Sequence, residues 1–308
     1  MLLLKWLIAI IAIGFVGWKI WTFKQHNELF DFQWSVESGA LISITVLLGI
    51  LNWSFEAMKW KRLLSGVLHL SFFRSFASVM QGVTTAIITP NRLGSFIGRV
   101  GGLPKEHREK GVLLTLLSGL AQFSITIGFG LVGWVIVYGH KEWLFVLLCI
   151  LFIGLGLWLF FNPKTILRPF IMRFLKQKIV ENILSLQDIS ISLKIEILGL
   201  SVLRFLTFSF QYVLILFCFS TINDTLTIWS HVLVVYGLMT ILPGLFFGKL
   251  FIREAAALIV FPLISFADNE IILAGLIVWL INIGLPASTG ALMMMKSKQW
   301  FNSSTQQS

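Results

Sequence analysis

Six stretches of this sequence are predominantly apolar over 19 to 27 residues: Leu2–Trp21, Gly39–Ala57, Gly111–Val137, Trp143–Phe161, Ile195–Phe219 and Ile271–Met295. About 20 such residues suffice for a helix to cross the hydrocarbon core of a bilayer. Inside that core every backbone polar group needs an internal partner, which leaves helices or a closed barrel. Runs of this length and uniformity select helices. Composition agrees: 12% of the residues are charged, against about 25% in soluble domains. The expected fold class is an all-α polytopic membrane protein forming a single transmembrane domain over residues 1–308. The first run begins at once, and GFVGWKIW offers no small-residue cleavage site. It reads as a signal anchor that stays in place.

The formal net charge is +10. It does not point to nucleic acid, because the cations flank apolar runs and form no basic arm; in such places they set orientation. Two further apolar stretches, Ser75–Gly102 and His231–Ser265, are interrupted near their middles by proline, glycine and charge. Lys59, Lys61, Arg62 and Arg74 precede the break in the first, and Lys105, Arg108 and Lys110 follow it. If that stretch dips into the membrane and returns, both basic groups lie in the cytoplasm. Lys164, Arg168, Arg173, Lys176, Lys178, Lys296 and Lys298 then fall on the same side. The loops with Glu28, Asp31 and Glu37, with Asp224, and with Asp268 and Glu270 fall outside. The expectation is six spanning helices plus two re-entrant helical hairpins, with both termini cytoplasmic. Eight full spans are the competing topology, which places KEHREK outside. Residues 164–190 carry Phe170, Phe174, Ile183 and Leu184 on one helical face, away from Arg173, Lys176 and Lys178. That pattern suits an interfacial amphipathic segment; an ordinary solvated connector is the alternative.

The two interrupted stretches resemble each other. In ITPNRLGSFIGR, Pro90 precedes Gly94 by four and Arg99 follows it by five; in LPGLFFGKLFIRE, Pro243 precedes Gly248 by five and Arg253 follows it by five. Three expected spans separate the copies, so they face opposite sides. This is the pattern of an inverted repeat with broken helices, with halves at about 39–161 and 195–296. Proline and glycine break a helix and free backbone groups, which persist at membrane depth only under protein cover or beside a wet cavity. A helix N-terminus favours an anion, and arginine adds a planar fork of donors suited to phosphate or carboxylate. Pro90, Gly94, Pro243 and Gly248 are therefore expected helix breaks, and Arg92, Arg99 and Arg253 expected anion-binding groups.

Other charges fall inside apolar runs. Arg204 sits about ten residues, or roughly 15 Å, into the fifth run, where a charge faces a cavity or a partner. It reads either as a substrate-binding cation or as a structural partner of Glu254. Glu254 itself follows Arg253 directly and either joins the site or neutralises its neighbour. Lys249 binds a head group or snorkels outward. Glu56 and Lys59, one helical turn apart near a span end, read as a surface pair. Asn282 reads as a helix–helix hydrogen bond. The tryptophans cluster near run ends as interfacial anchors.

No HExxH, Walker loop, GxSxG or paired acidic motif is present. The five histidines have no ligand spacing, and Cys149 and Cys218 sit inside apolar runs as small core residues. Neither an enzyme activity, a cofactor nor a metal is expected.

The runs TPNRLGSFIGR, KEHREKGVLLT and LPG…GKLFIREAAAL resemble the flippase-like transmembrane domain family of lysylphosphatidylglycerol synthases, over roughly Gly39–Lys296. The resemblance implies a stand-alone member, in the bacterial cytoplasmic (inner) membrane, that moves lipid between leaflets through a fold with two re-entrant segments. That family usually has Glu just after the glycine of the first motif; here the position is Ser95, so a carboxylate role there is lost. The synthase domain has no counterpart, and lipid aminoacylation is not implied. The functional expectation is a lipid flippase for an anionic membrane lipid or a polyprenyl-phosphate-linked glycolipid, with Arg92, Arg99, Arg204, Lys249, Arg253 and Glu254 as substrate-binding residues. The alternative is a non-transporting scaffold or accessory subunit of a glycosyltransferase or lipid synthase, in which a membrane enzyme or a second copy of the chain is the partner.

Overall fold

The computed structural model describes residue 21 and residues 35–87, 89, 94–139, 143–162, 189–219, 224–242 and 248–296. Regular structure among these residues is helical throughout. The helices are α1 Val36–Leu64, α2 Phe72–Ile87, α3 Gly94–Val100, α4 Lys105–Tyr138, α5 Trp143–Phe161, α6 Ile191–Phe217, α7 Thr225–Ile241, α8 Gly248–Val260, α9 Asp268–Trp279 and α10 Leu285–Lys296. Helices α1, α4, α5, α6 and the continuous stretch Asp268–Met295 are long and apolar enough to cross a membrane. The chain is an all-helical, multi-pass membrane protein. These five coincide with five of the six expected spans. The sixth, Leu2–Trp21, lies outside the described residues except for Trp21, as does the segment 164–190 except for its last two residues.

The helix ends follow from local chemistry. Leu242 takes extended backbone (φ −71°, ψ 126°) because it precedes Pro243, whose ring disfavours helical geometry in the residue before it. Pro262 ends α8 in a 3₁₀ turn, Phe261–Ile264, closed by Ser265 in the left-handed region at φ 63°. The last span is not uniform: Leu280–Gly284 form a π-helical turn between α9 and α10. Pro286 lacks the N–H that would bond the carbonyl four residues back, and its ring crowds that carbonyl, so the turn widens. Helix α5 is apolar on every side, with mean hydropathy 2.9 and only 17% of its residues buried. A soluble protein does not expose such a helix; in a bilayer the lipid tails cover it.

By contacts the chain gathers into two compact units, residues 1–51, 126–150 and 206–284 in one and residues 52–125, 151–205 and 285–308 in the other. Between helices in lipid the hydrophobic effect is weak, and close packing and hydrogen bonds hold them together. The first unit shows both. Gly130 and Gly237 bring α4 and α7 into backbone contact, and a Cβ on Gly130 would lie 2.6 Å from Gly237 Cα. Gln211 Nε2 donates to Thr45 O at 2.8 Å, joining α6 to α1. Edge-on aromatic contacts link Tyr212 to Tyr236 and Phe261, and Phe261 to Phe266.

In the second unit, α2 and α3 fold back on one another. Gly98 lies against Gln81, Gly82 and Thr85, where a Cβ would come within 2.6 Å of Gly82 Cα. Thr85 Oγ1 donates to Gly94 O at 2.6 Å, and Ser78 Oγ donates to Arg99 O at 2.6 Å. Helix α10 closes on α2 through Thr84 Oγ1, which donates to Ala287 O at 2.7 Å. Gly290 rests on the Met80 carbonyl, with no room for a side chain.

Candidate functional site

Two helices begin at the motif glycines. α3 starts at Gly94 and α8 at Gly248, and in each the arginine five residues on, Arg99 or Arg253, lies on the new helix. Pro90, Arg92 and Pro243 lie outside the described residues, as does the Lys249 side chain. At the first break the amide of Gly94 is not free. Gly94 N–H is taken by Thr89 Oγ1 at 2.7 Å, and that hydroxyl donates to Thr85 O at 2.7 Å. A threonine side chain thus satisfies this amide, as Ser and Thr commonly do in membrane helices.

Arg99 instead meets a carboxylate from α1. Its Nη2 lies 2.7 Å from Glu56 Oε1. Lys59 Nζ lies 3.0 Å from Glu56 Oε2, and Arg204 Nε reaches the same oxygen at 3.4 Å. Glu56 and Lys59 are one helical turn apart on the buried face of α1, shared with Trp53, Trp60, Leu63 and Leu64. The surface pair expected from sequence is thus a buried one: Lys59 is 0% and Glu56 5% exposed. The physical reason is that α1 runs seven residues past Ala57, to Leu64. Lys59 is therefore carried on the helix, inside the protein, and does not belong to the basic loop that argued for orientation. Lys61 and Arg62 remain on the exposed side, where Arg62 Nε and Nη2 pair with Glu196 at 2.6 and 2.5 Å.

Helix α6 begins at Ile191, four residues earlier than expected, so Arg204 is 13 residues in, about 20 Å along the axis. The carboxylate it meets is Glu56, on α1. Its guanidinium stacks over Trp53, with Cζ 5.2 Å from the ring centroid. Polar oxygens complete the surroundings. Gln122 Oε1 accepts from Lys59 Nζ at 3.4 Å and from Arg204 Nη1 at 3.2 Å. Ser201 Oγ accepts from Lys59 Nζ at 3.2 Å. Three cations and one carboxylate leave this group with two net positive charges. Buried charge is expensive unless paired or met by a ligand, so the arrangement is suited to an anion.

The second motif arginine has a different setting. Arg253 Nε donates to Glu254 Oε1 at 3.1 Å; Nη2 also bonds that oxygen and donates to Gly275 O at 2.6 Å. Its Cζ is 5.8 Å from the Tyr212 ring centroid. Gly275 makes the pair fit, because a Cβ there would overlap the Glu254 carboxylate. This group is internally neutral. Of the expected site residues, Arg99 and Arg204 come together in one unit, and Arg253 and Glu254 in the other. Among the described residues, no group of three or more His, Cys, Asp or Glu side chains converges as a metal site would require.

Glu56, Lys59, Gln122 and Ser201 were not anticipated as site residues. The signal for the first two was available, since Trp53, Glu56, Lys59 and Trp60 share one face at three- and four-residue spacing. Compared with known protein families, curated proteins and solved structures, the chain matches none.

Proposed function

We propose that this protein is a flippase-like translocase that moves an anionic lipid, or a polyprenyl-phosphate-linked glycolipid, between the leaflets of a bacterial inner membrane. The observation that carries the reading is the gathering of Lys59 and Arg204, on long apolar helices, and Arg99, on the short α3, around a single carboxylate. A net positive charge of two among the described residues of this group suits the phosphate of a head group whose tails stay in lipid. The sequence resemblance to the transmembrane domain of lysylphosphatidylglycerol synthases points the same way. Where that family has a carboxylate after the first motif glycine, this chain has Ser95, and the carboxylate beside Arg99 comes from Glu56.

In this reading the helix pairs α2–α3 and α7–α8 are re-entrant hairpins in an inverted repeat, and both termini are cytoplasmic. Both second helices starting at a motif glycine, with arginine five residues on, supports it. Cysteines placed at Lys105 and Asn269 should then label from opposite sides of a sealed membrane; labelling from one side would remove the repeat.

Transport is tested in liposomes by following fluorescent anionic lipid across the bilayer. The wild type should accelerate exchange, Arg204→Lys should keep part of it, and Arg204→Leu should abolish it while remaining folded. Absence of exchange by the wild type, with stoichiometric copurification of a membrane enzyme, would favour the accessory-subunit reading.

A further inference from the structure

The charge and geometry of the Glu56 group specify a head-group class, given the transport reading above. Arg99 engages one carboxylate oxygen, and Lys59 and Arg204 engage the other. Donors therefore converge on Glu56 from three helices, α1, α3 and α6, as they would on an oxyanion. A carboxylate brings one charge and two oxygens, which is less than these donors accommodate. Neutral oxygens of Gln122 and Ser201 take up part of their capacity. Arg99 Nε, on a side chain only 11% exposed, has no hydrogen-bond partner among the described residues. A phosphomonoester has three terminal oxygens and about −1.5 to −2 charge at neutral pH, matching the two net positive charges. A phosphodiester carries one charge and two such oxygens.

We propose that Lys59, Arg99 and Arg204 bind a phosphoryl group carrying two negative charges, as in a phosphomonoester or a diphosphate, and that Glu56 fills their donors until that group arrives. Glu56 is then an internal competitor, and its removal strengthens binding.

The test uses the full chain in neutral phosphatidylcholine nanodiscs. Binding and thermal unfolding are followed on adding dioleoyl phosphatidic acid, dioleoyl phosphatidylglycerol or soluble pyrophosphate. Phosphatidic acid should bind about tenfold or more tightly than phosphatidylglycerol, a difference readily resolved. Glu56→Gln should tighten phosphatidic acid binding further and regain thermal stability when that lipid is added. Arg99→Gln, which leaves Glu56 paired with Lys59 and Arg204, should weaken it; this variant decides the matter if Glu56→Gln does not fold. Stabilisation by pyrophosphate as well identifies a site that takes the phosphoryl group from water; stabilisation by phosphatidic acid alone identifies a lipid head-group site. Equal affinity for the two lipids, or phosphatidic acid binding undiminished in Arg99→Gln, overturns the proposal. Faster exchange of phosphatidylglycerol with equal binding of both lipids would remove this inference and leave transport standing. Selective phosphatidic acid binding with no lipid exchange would remove transport and leave the site.

Discussion

Arg99 Nη2 meets Glu56 Oε1 at 2.7 Å, tying the helix that starts at the first motif glycine to the buried face of α1. Three cations depend on that carboxylate. Removing one partner of a buried ion pair typically costs about 3–5 kcal/mol, because the remaining charge stays buried. In neutral lipid, Glu56→Gln should therefore lower the unfolding temperature sharply, and Lys61→Gln, on the exposed face of the same helix, should not. Equal melting of the two variants would show that the group contributes nothing to the fold.

Arg253 and Glu254 neutralise each other, so they predict a different pattern. Arg253→Gln and Glu254→Gln should each destabilise, and the double variant should recover much of the loss. A double-mutant cycle on thermal or denaturant unfolding measures this coupling, expected at about 0.5–3 kcal/mol. Purely additive losses would mean that the two side chains act independently.

The α2–α3 hairpin rests on contacts too close for any side chain. Gly98→Leu should separate the helices and cost more than the roughly 1–3 kcal/mol usual for overpacking by about one methylene. Gly119, in α4, has open space where a Cβ would stand, with nothing within 4 Å. Gly119→Ala should be neutral or stabilising by up to about 1 kcal/mol. Thermal unfolding of the two variants side by side checks both expectations.

The hydroxyl that occupies Gly94 N–H offers a sharper probe. Thr89→Val keeps the shape and removes the bond, leaving an amide unsatisfied at a cost of about 1–3 kcal/mol. Thr89→Ser should restore most of it. Faster hydrogen exchange at Gly94 in the valine variant alone is the expected signature; unchanged exchange would mean that the bond is not needed.

Asp224 caps α7. Its carboxylate accepts from the Thr227 hydroxyl at 2.5 Å and from the amides of Thr227 and Leu226 at 3.2 and 3.0 Å, and these bonds, the hydroxyl first, hold its pKa below the usual carboxylate range. The folded state thus binds this proton less readily than the unfolded chain. Its contribution is complete above the ordinary carboxylate pKa of about 4 and fades as pH falls through the lowered native value. Hydrogen-exchange protection at Leu226 and Thr227, taken relative to the intrinsic rate at each pH, should fall on acidification in the wild type and stay level in Asp224→Asn.

Much of the architecture was legible because apolar length is a strong signal: five runs became helices, although α1 and α4 each extend six or seven residues beyond one expected end. The helix starts at Gly94 and Gly248 follow the same kind of reasoning, proline and glycine being poor residues in a helix interior. The site was legible only in part. Arg99 and Arg204 stand out as charges in apolar sequence, but their shared partner Glu56 lies one turn from Lys59 near a span end, and so looked like half of a surface pair. Only the helix continuing to Leu64 shows which of those charges turn inward. The threonine hydroxyls at positions 85 and 89 carry no pattern of their own, since their role depends on which carbonyl or amide the fold brings near.

The spacing of Glu56 and Lys59 also bears on how such a cluster is assembled during synthesis. Four charges cannot enter lipid cheaply one at a time. These two are one turn apart on a single helix, so they can pair as a neutral couple before the other two charges are made. Arg99 follows on a helix sewn to its own neighbour by local hydroxyls, and Arg204 is made last. Along the chain the carboxylate and its first cation thus precede Arg99 and Arg204, so each later positive charge has its carboxylate already made.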